Sequence, residues 1–146
     1  MKKIAPFAAM TAFALAACAT TPTTTPAPGA DGMVSVTGEA TYRQRIALPE
    51  DAVVTVRIED VSRADAAATV LGEQTYATSG RQVPLPFTVN VYRAKLEDAA
   101  RTNARVTIAD GDGRLLWTTD STHAVVPVAG QDEIDMGTLV LAQAAG

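Results

Sequence analysis

The chain has 146 residues, and 16 acidic against 12 basic side chains give it a formal charge of −4; it holds one cysteine and one histidine. A single cysteine excludes an internal disulfide framework, and a single histidine leaves too few nitrogen and sulfur ligands for a zinc site. The acidic balance argues against nucleic acid, which calls for a concentrated basic face.

Lys2 and Lys3 open the chain, and an apolar stretch of 14 residues runs from Ile4 to Ala17. This is the layout of a secretory signal. It is shorter than the roughly 20 residues a bilayer-spanning helix needs, and Pro6 interrupts it. It ends in Leu15-Ala16-Ala17-Cys18, which resembles the lipobox of bacterial lipoproteins. The resemblance implies cleavage between Ala17 and Cys18, a diacylglycerol on the Cys18 thiol and acylation, for example by palmitate, of the new amino terminus. Ala19 stands where an aspartate would imply retention in the inner membrane, so the implied location is the outer membrane of a Gram-negative cell, with the domain facing the periplasm. Removal of 17 residues from 146 leaves 129, and loss of Lys2 and Lys3 takes the charge from −4 to −6.

Residues 18–32 are rich in Thr, Pro and Ala and show no apolar periodicity. Such a segment buries too little surface to offset its ordering entropy and is expected to be a flexible tether. At about 3.1 Å per residue in a polyproline-like state, its 14 residues after Cys18 reach roughly 40 Å.

A single domain is expected over residues 33–146. Val54, Val56 and Ile58 alternate with Thr55, Arg57 and Glu59, the period of a strand with one buried face. Leu85, Phe87, Val89 and Val91 alternate in the same way, and Pro84 and Pro86 place the start of that strand at a sheet edge. Further strands are expected at 34–47, 68–78, 104–109, 114–119 and 136–142, with a short helix at 94–101. About seven strands at this spacing point to an all-β fold, one small sandwich of Ig-like or barrel-like type.

Reactive groups are sparse. Asp120-Ser121-Thr122-His123 contains the residue types of a hydrolase triad, but an extended segment places Ser121 and His123 on one face and Asp120 on the other. His123 is therefore read as an ordinary strand-end histidine, and no catalytic residue is assigned. Asp110-Gly111-Asp112-Gly113 is read as a hairpin turn, because the position that would close a calcium loop is Ser121. Asp132, Glu133 and Asp135 are read as a solvated loop, so neither a metal nor a cofactor is expected. Tyr42, Tyr76, Phe87, Tyr92 and Trp117 are read as core filling rather than a groove, with Tyr42 and Trp117 needing polar partners. Arg43, Arg45, Arg57 and Arg63 are expected on exposed faces of neighbouring strands, within reach of Glu39, Glu59 or Asp60. The first three form a candidate partner surface.

The stretch from Tyr42-Arg43-Gln44-Arg45-Ile46-Ala47-Leu48-Pro49 through Ile58-Glu59-Asp60-Val61-Ser62-Arg63-Ala64-Asp65-Ala66 resembles the YbaY family of outer-membrane lipoproteins, which is related to the YscW-type pilotins of type III secretion. The resemblance continues in Glu73-Gln74, Gly80-Arg81-Gln82-Val83-Pro84 and Pro86-Phe87, and departs at Thr102-Asn103-Ala104, where relatives carry an aromatic residue. It implies a non-enzymatic lipoprotein whose periplasmic domain binds a protein, in a pilotin or chaperone role in envelope or secretin assembly. The alternative is a small-molecule or cell-wall-ligand module, which a concave pocket lined by Trp117 would favour over a filled interior.

Overall fold

The structure is a computed structural model and describes residues 32–145. The expected signal segment, the Ala17–Cys18 cleavage point, Cys18 and nearly all of the tether lie outside the described residues. Eight strands and one helix follow in the order β1 (Met33–Thr41), β2 (Val53–Asp60), β3 (Thr69–Ala77), β4 (Leu85–Tyr92), α1 (Arg93–Asp98), β5 (Thr102–Ala109), β6 (Leu115–Thr118), β7 (Glu133–Val140) and β8 (Ala142–Gln143). They make a three-stranded sheet, β4-β1-β7, and a five-stranded sheet, β3-β2-β5-β6-β8. The all-β sandwich with one short helix is thus the fold, with eight strands where about seven were expected.

The alternation seen in the sequence becomes the core. Val34, Val36, Val54, Val56, Ile58, Val89, Val91, Val106 and Ile108 are all at most 1% exposed and face one another between the sheets. Gly38 belongs to the inward row of β1 and carries no side chain. The Phe87 ring of the paired strand fills that space, so that a Cβ on Gly38 would stand 2.7 Å from Phe87 Cζ.

The two sheets nearly close into a barrel. On one side β3 approaches β4 without a backbone ladder. The Gln74 side chain instead accepts a hydrogen bond from the Thr88 amide at 2.9 Å, and the Tyr76 hydroxyl donates to the Pro86 carbonyl at 2.8 Å. These side chains satisfy backbone groups at the edge that Pro84 and Pro86 mark in the sequence. Gly72 permits the approach, since a Cβ there would lie 2.8 Å from Val91 Cγ2 and 2.9 Å from the Asn90 carbonyl oxygen. Because one obstacle is backbone, Gly72→Ala is expected to cost about 1–3 kcal/mol by overpacking. Urea unfolding checks this, and an unchanged midpoint would contradict the close approach. On the other side the chain itself crosses over. β7 lies parallel to β1, Leu141 donates to the Thr41 carbonyl at 2.7 Å, and β8 then joins β6 in the opposite sheet.

Several boundaries differ from expectation. β1 stops at Thr41 rather than running to residue 47, because Tyr42 turns inward and its hydroxyl bonds the Ile46 carbonyl at 2.6 Å, closing a loop. Glu133 and Asp135 lie on β7 rather than in a loop, since Ile134 and Met136, which alternate with them, pack on the core. A bulge at Met136-Gly137, with Gly137 at φ 63°, resets the register against β1. The helix covers 93–98, ending before the Ala99-Ala100 pair.

Strand register gives the domain two distinct ends. Gly32 accepts a hydrogen bond from the Arg93 amide at 2.5 Å, so the chain enters the fold beside α1. The β1–β2 connection, the β5–β6 turn and the end of β8 lie at the opposite end, one β1 length away. Nine residues of strand make that separation about 30 Å.

Candidate functional site

At the end remote from Gly32, Ile46, Ala47 and Pro49 from the β1–β2 connection face Arg114, Leu115, Leu116 and Trp117 and the Gln143-Ala144 segment across a groove of about 370 Å³. Trp117 forms its floor and is itself only 3% exposed. Tyr42 stacks on Trp117 with ring centroids 3.9 Å apart and planes within 1°. Burial raises the Tyr42 phenol above its ordinary pKa, and its hydroxyl holds the connection through Ile46. On the rim, Ile46 is 51% and Leu115 43% exposed, so the groove opens between two large aliphatic side chains. A second groove of about 460 Å³, lined by Leu96, Ala99, Val125, Val126 and Pro127 among others, lies at the α1 end.

The sequence-selected residues fall in different places. Arg43 and Arg45 lie in the β1–β2 connection next to Ile46, not on a strand as expected. Arg57 is on the outer face of β2, bound to Glu73 at 2.5 Å, and does not line the groove. Arg63 lies in the β2–β3 connection, and Glu59 pairs with Arg105 at 3.4 Å rather than with one of the four selected arginines. Tyr42, Phe87 and Trp117 are buried as expected of core filling, Tyr76 is half-buried, and Tyr92 is exposed at the start of α1 with Lys95 over its ring. Alternation in the sequence passed over Ile46 and Leu115. For Leu115 the signal was the unbroken Leu115-Leu116-Trp117 run, whose three side chains cannot all face inward from one strand; Ile46 lay in a stretch read as strand and carried no such signal.

The remaining candidates make the following local contacts. Ser121 Oγ lies 3.4 Å from His123 Nε2, on the shared face the alternation implied. Asp120, however, contacts Ser121 at 3.3 Å and has no bond to the imidazole, so the order of a charge-stabilised relay is absent. The backbone of His123 instead extends the sheet, donating to Asn103 Oδ1 and accepting from the Ala104 amide, both at 2.8 Å. Asp110 makes the expected turn, its carboxylate accepting from the Arg114 amide at 2.8 Å and from Arg114 Nε at 3.1 Å. These bonds, the backbone one first, hold its carboxyl below the ordinary value. Asp132 pairs with Arg93 at 2.9 Å, Glu133 accepts from Thr37 at 3.2 Å, and Asp135 caps the Gly137 amide at 2.8 Å. Among the described residues no cluster of three or more His, Cys, Asp or Glu is set to hold a metal.

The family model of the type III secretion system lipoprotein chaperone, YscW, matches residues 31–137. The chain belongs to this family. It is 36% identical over 134 residues to the uncharacterized lipoprotein YbaY of Escherichia coli (strain K12), which covers 82% of this chain and 69% of the relative. It also resembles a solved structure, an alternative pilotin from the type II secretion system of Vibrio cholerae. That match has a TM-score of 0.67 and 37% identity, covering 78% of this chain and 99% of the pilotin.

In this YscW-family chain the motif residues do structural work that the fold makes visible. Gln82, from the Gly80–Pro84 block, clamps the other block by accepting from the Leu48 amide at 2.8 Å and donating to the Leu48 carbonyl at 3.2 Å. Asp60 accepts from the Ser62 hydroxyl and, at 2.8 Å, from its amide, while Ser62 Oγ accepts from the Arg101 amide at 3.0 Å. The Asp-Val-Ser sequence thus ties the end of β2 to the start of β5. The Ser62 hydroxyl, then its amide, hold the Asp60 carboxyl below its ordinary value of 3.8. The resulting stability is present above 3.8, where an unfolded aspartate is ionised, and is lost as pH falls through the lower folded value. Carboxyl NMR titration is expected to show Asp60 below 3.8, and Ser62→Ala is expected to move it back up.

Proposed function

We propose that this protein is a non-enzymatic outer-membrane lipoprotein of the pilotin type. Residues 1–17 are a signal peptide cut between Ala17 and Cys18, residues 18–32 are a tether, and acylated Cys18 anchors the domain in the outer membrane, facing the periplasm. The domain from residue 33 onward binds a segment of another envelope protein, a secretin, and the lipid carries or holds that partner at the membrane. The observation that carries this reading is the polarity of the domain. The chain enters at the α1 end, beside the groove of Leu96, Val125 and Val126, and a groove of mixed polarity rimmed by Ile46 and Leu115 opens at the other, where a tethered domain is free to meet a partner.

Family membership supports the chaperone class, and the pilotin structure from the type II system supports a secretion-system partner. The core is filled by close-packed Val, Ile, Leu and Phe side chains, and Trp117 is covered by Tyr42. That packing leaves no room for a ligand inside the domain, but the groove floored by Trp117 is a concave feature of the kind that suits a small ligand, so the choice of a protein partner rests on family membership. The non-enzymatic reading is supported by the Asp120 carboxylate meeting Ser121 instead of orienting the His123 imidazole.

The test is affinity capture of the full-length lipidated protein from its own cells in detergent, followed by mass spectrometry. One dominant outer-membrane companion is expected, and it should be a secretin. Recovery of no specific companion would sink the chaperone reading.

A further inference from the structure

Resting on the partner-binding reading above, we infer that the groove at the end remote from the tether takes a short acidic segment of its partner chain. Two apolar side chains of that segment seat against Ile46 and Leu115, and its carboxylates meet Arg43 and Arg45.

The apolar half of this assignment comes from exposure. Ile46 and Leu115 are large aliphatic side chains about half in water on either side of a floor made by Leu116 and Trp117. Covering them recovers about 25 cal/mol per Å² of apolar surface removed from water. The flanking backbone has little to offer an added strand, because β8 is two residues long and the Ala144 amide is already bonded to Leu116 at 2.9 Å. Side chains rather than a backbone ladder therefore provide the grip.

The charged half comes from comparing the cations of this end. Arg114 is held by Asp110 at 3.1 Å. Arg81 donates to the Thr78 carbonyl at 3.2 Å and lies over the Tyr76 ring. Arg43 and Arg45 are exposed and have neither an ion pair nor a side-chain hydrogen bond among the described residues. Neither lines the groove itself; both stand just before its rim residue Ile46, in the loop that Tyr42 holds through its stack on Trp117 and its bond to the Ile46 carbonyl. Among nearby acids, Asp51 is turned onto Gly111. Glu50 and Asp112 are exposed beyond Pro49 and before Arg114, which confines the cationic patch to the Arg43–Ile46 side. The acidic character of the whole molecule does not cancel this patch, because at physiological salt a charge is screened within about 8 Å.

The test pans a random dodecapeptide phage library against the immobilised full-length lipidated protein in detergent micelles. Enriched peptides are expected to carry net negative charge and two large apolar residues. Their binding is expected to fall at least about tenfold, or 1.4 kcal/mol, in Arg43→Glu/Arg45→Glu and in Ile46→Asp. It should weaken as salt rises and stay unchanged in Lys95→Glu, at the opposite end. Neutral or basic enriched sequences, no enrichment, or full binding by the double arginine variant would each overturn the assignment. Tyrosine and tryptophan fluorescence confirms that each variant remains folded. The two readings fail separately. An envelope companion captured equally by wild type and Arg43→Glu/Arg45→Glu overturns the groove assignment and leaves the chaperone reading standing. Acidic peptides bound at the groove with no companion captured from cells does the reverse.

Discussion

Trp117→Ala is expected to lower the unfolding free energy by about 3–5 kcal/mol, the range for truncating a large buried aromatic side chain. Trp117 is 3% exposed and belongs to β6, a strand of only four residues, so little backbone pairing is available to offset its loss. Its ring also supports Tyr42 face to face at 3.9 Å, and such a pair contributes about 0.5–1.5 kcal/mol beyond burial. The change should therefore loosen the β1–β2 connection, since Tyr42 is what fixes Ile46. Tyr42→Phe separates the two effects. It keeps the stack and removes the 2.6 Å bond to the Ile46 carbonyl, at an expected cost of about 1 kcal/mol. Urea unfolding followed by far-ultraviolet circular dichroism measures both. A loss below about 1 kcal/mol for Trp117→Ala would mean that the stack is not packed as the structure places it.

This dependence explains why the motif that marks the family lies where it does. Tyr42 through Pro49 is a loop, not a strand, and three contacts hold it, two of them made by the Tyr42 side chain: its stack on Trp117, its bond to the Ile46 carbonyl and the Gln82 clamp on Leu48. A loop held at three points presents Arg43, Arg45 and Ile46 with little ordering entropy left to lose on binding. Preorganisation of that kind raises affinity without adding contacts.

The strands with a wet outer face were the legible part of the fold. Val54, Val56 and Ile58 and the Leu85–Val91 row have one buried face each, and the period of two follows directly from that asymmetry. The end of β1 was not legible, because Tyr42 through Ala47 carries strand-compatible residues and only the distant Trp117 decides that Tyr42 turns inward. β7 was hidden for a different reason. It is a parallel edge strand beside β1, broken by a bulge at Met136-Gly137, so its acidic residues at 133 and 135 read as loop. The groove was half legible: the unbroken apolar run at Leu115 marked one rim, whereas the other, Ile46, lay in a stretch read as strand, and the neighbouring Arg43 and Arg45 were selected for charge without the loop that unites them. Arg57 shows the limit of selection by residue type, since its neighbour across β3, Glu73, occupies it.

Cys18→Ala is expected to convert a membrane-bound protein into a freely periplasmic one, the largest single change of behaviour open to this chain. Among the described residues no helix is long and apolar enough to cross a membrane. On the proposed reading, retention then rests on acyl chains at Cys18. Each buried methylene contributes about 0.8 kcal/mol, and a single chain gives only marginal binding while two or more give a stable anchor. Losing the thiol removes the diacylglycerol and blocks the processing that exposes the amino terminus for a further chain. Cys18 is separated from β1 by the Thr/Pro/Ala-rich segment, so the domain itself should be unaffected, with unchanged Trp117 fluorescence and urea midpoint. Fractionation of cells is expected to find wild type in the outer-membrane pellet after a high-salt wash and the variant in the soluble periplasmic fraction, or unprocessed. Intact mass should show the acyl increments in wild type alone. A variant that pellets with the outer membrane as wild type does, while processed and folded, would remove the lipid anchor from the account. A partner captured by that variant would then have to supply the attachment, reversing which protein carries the other.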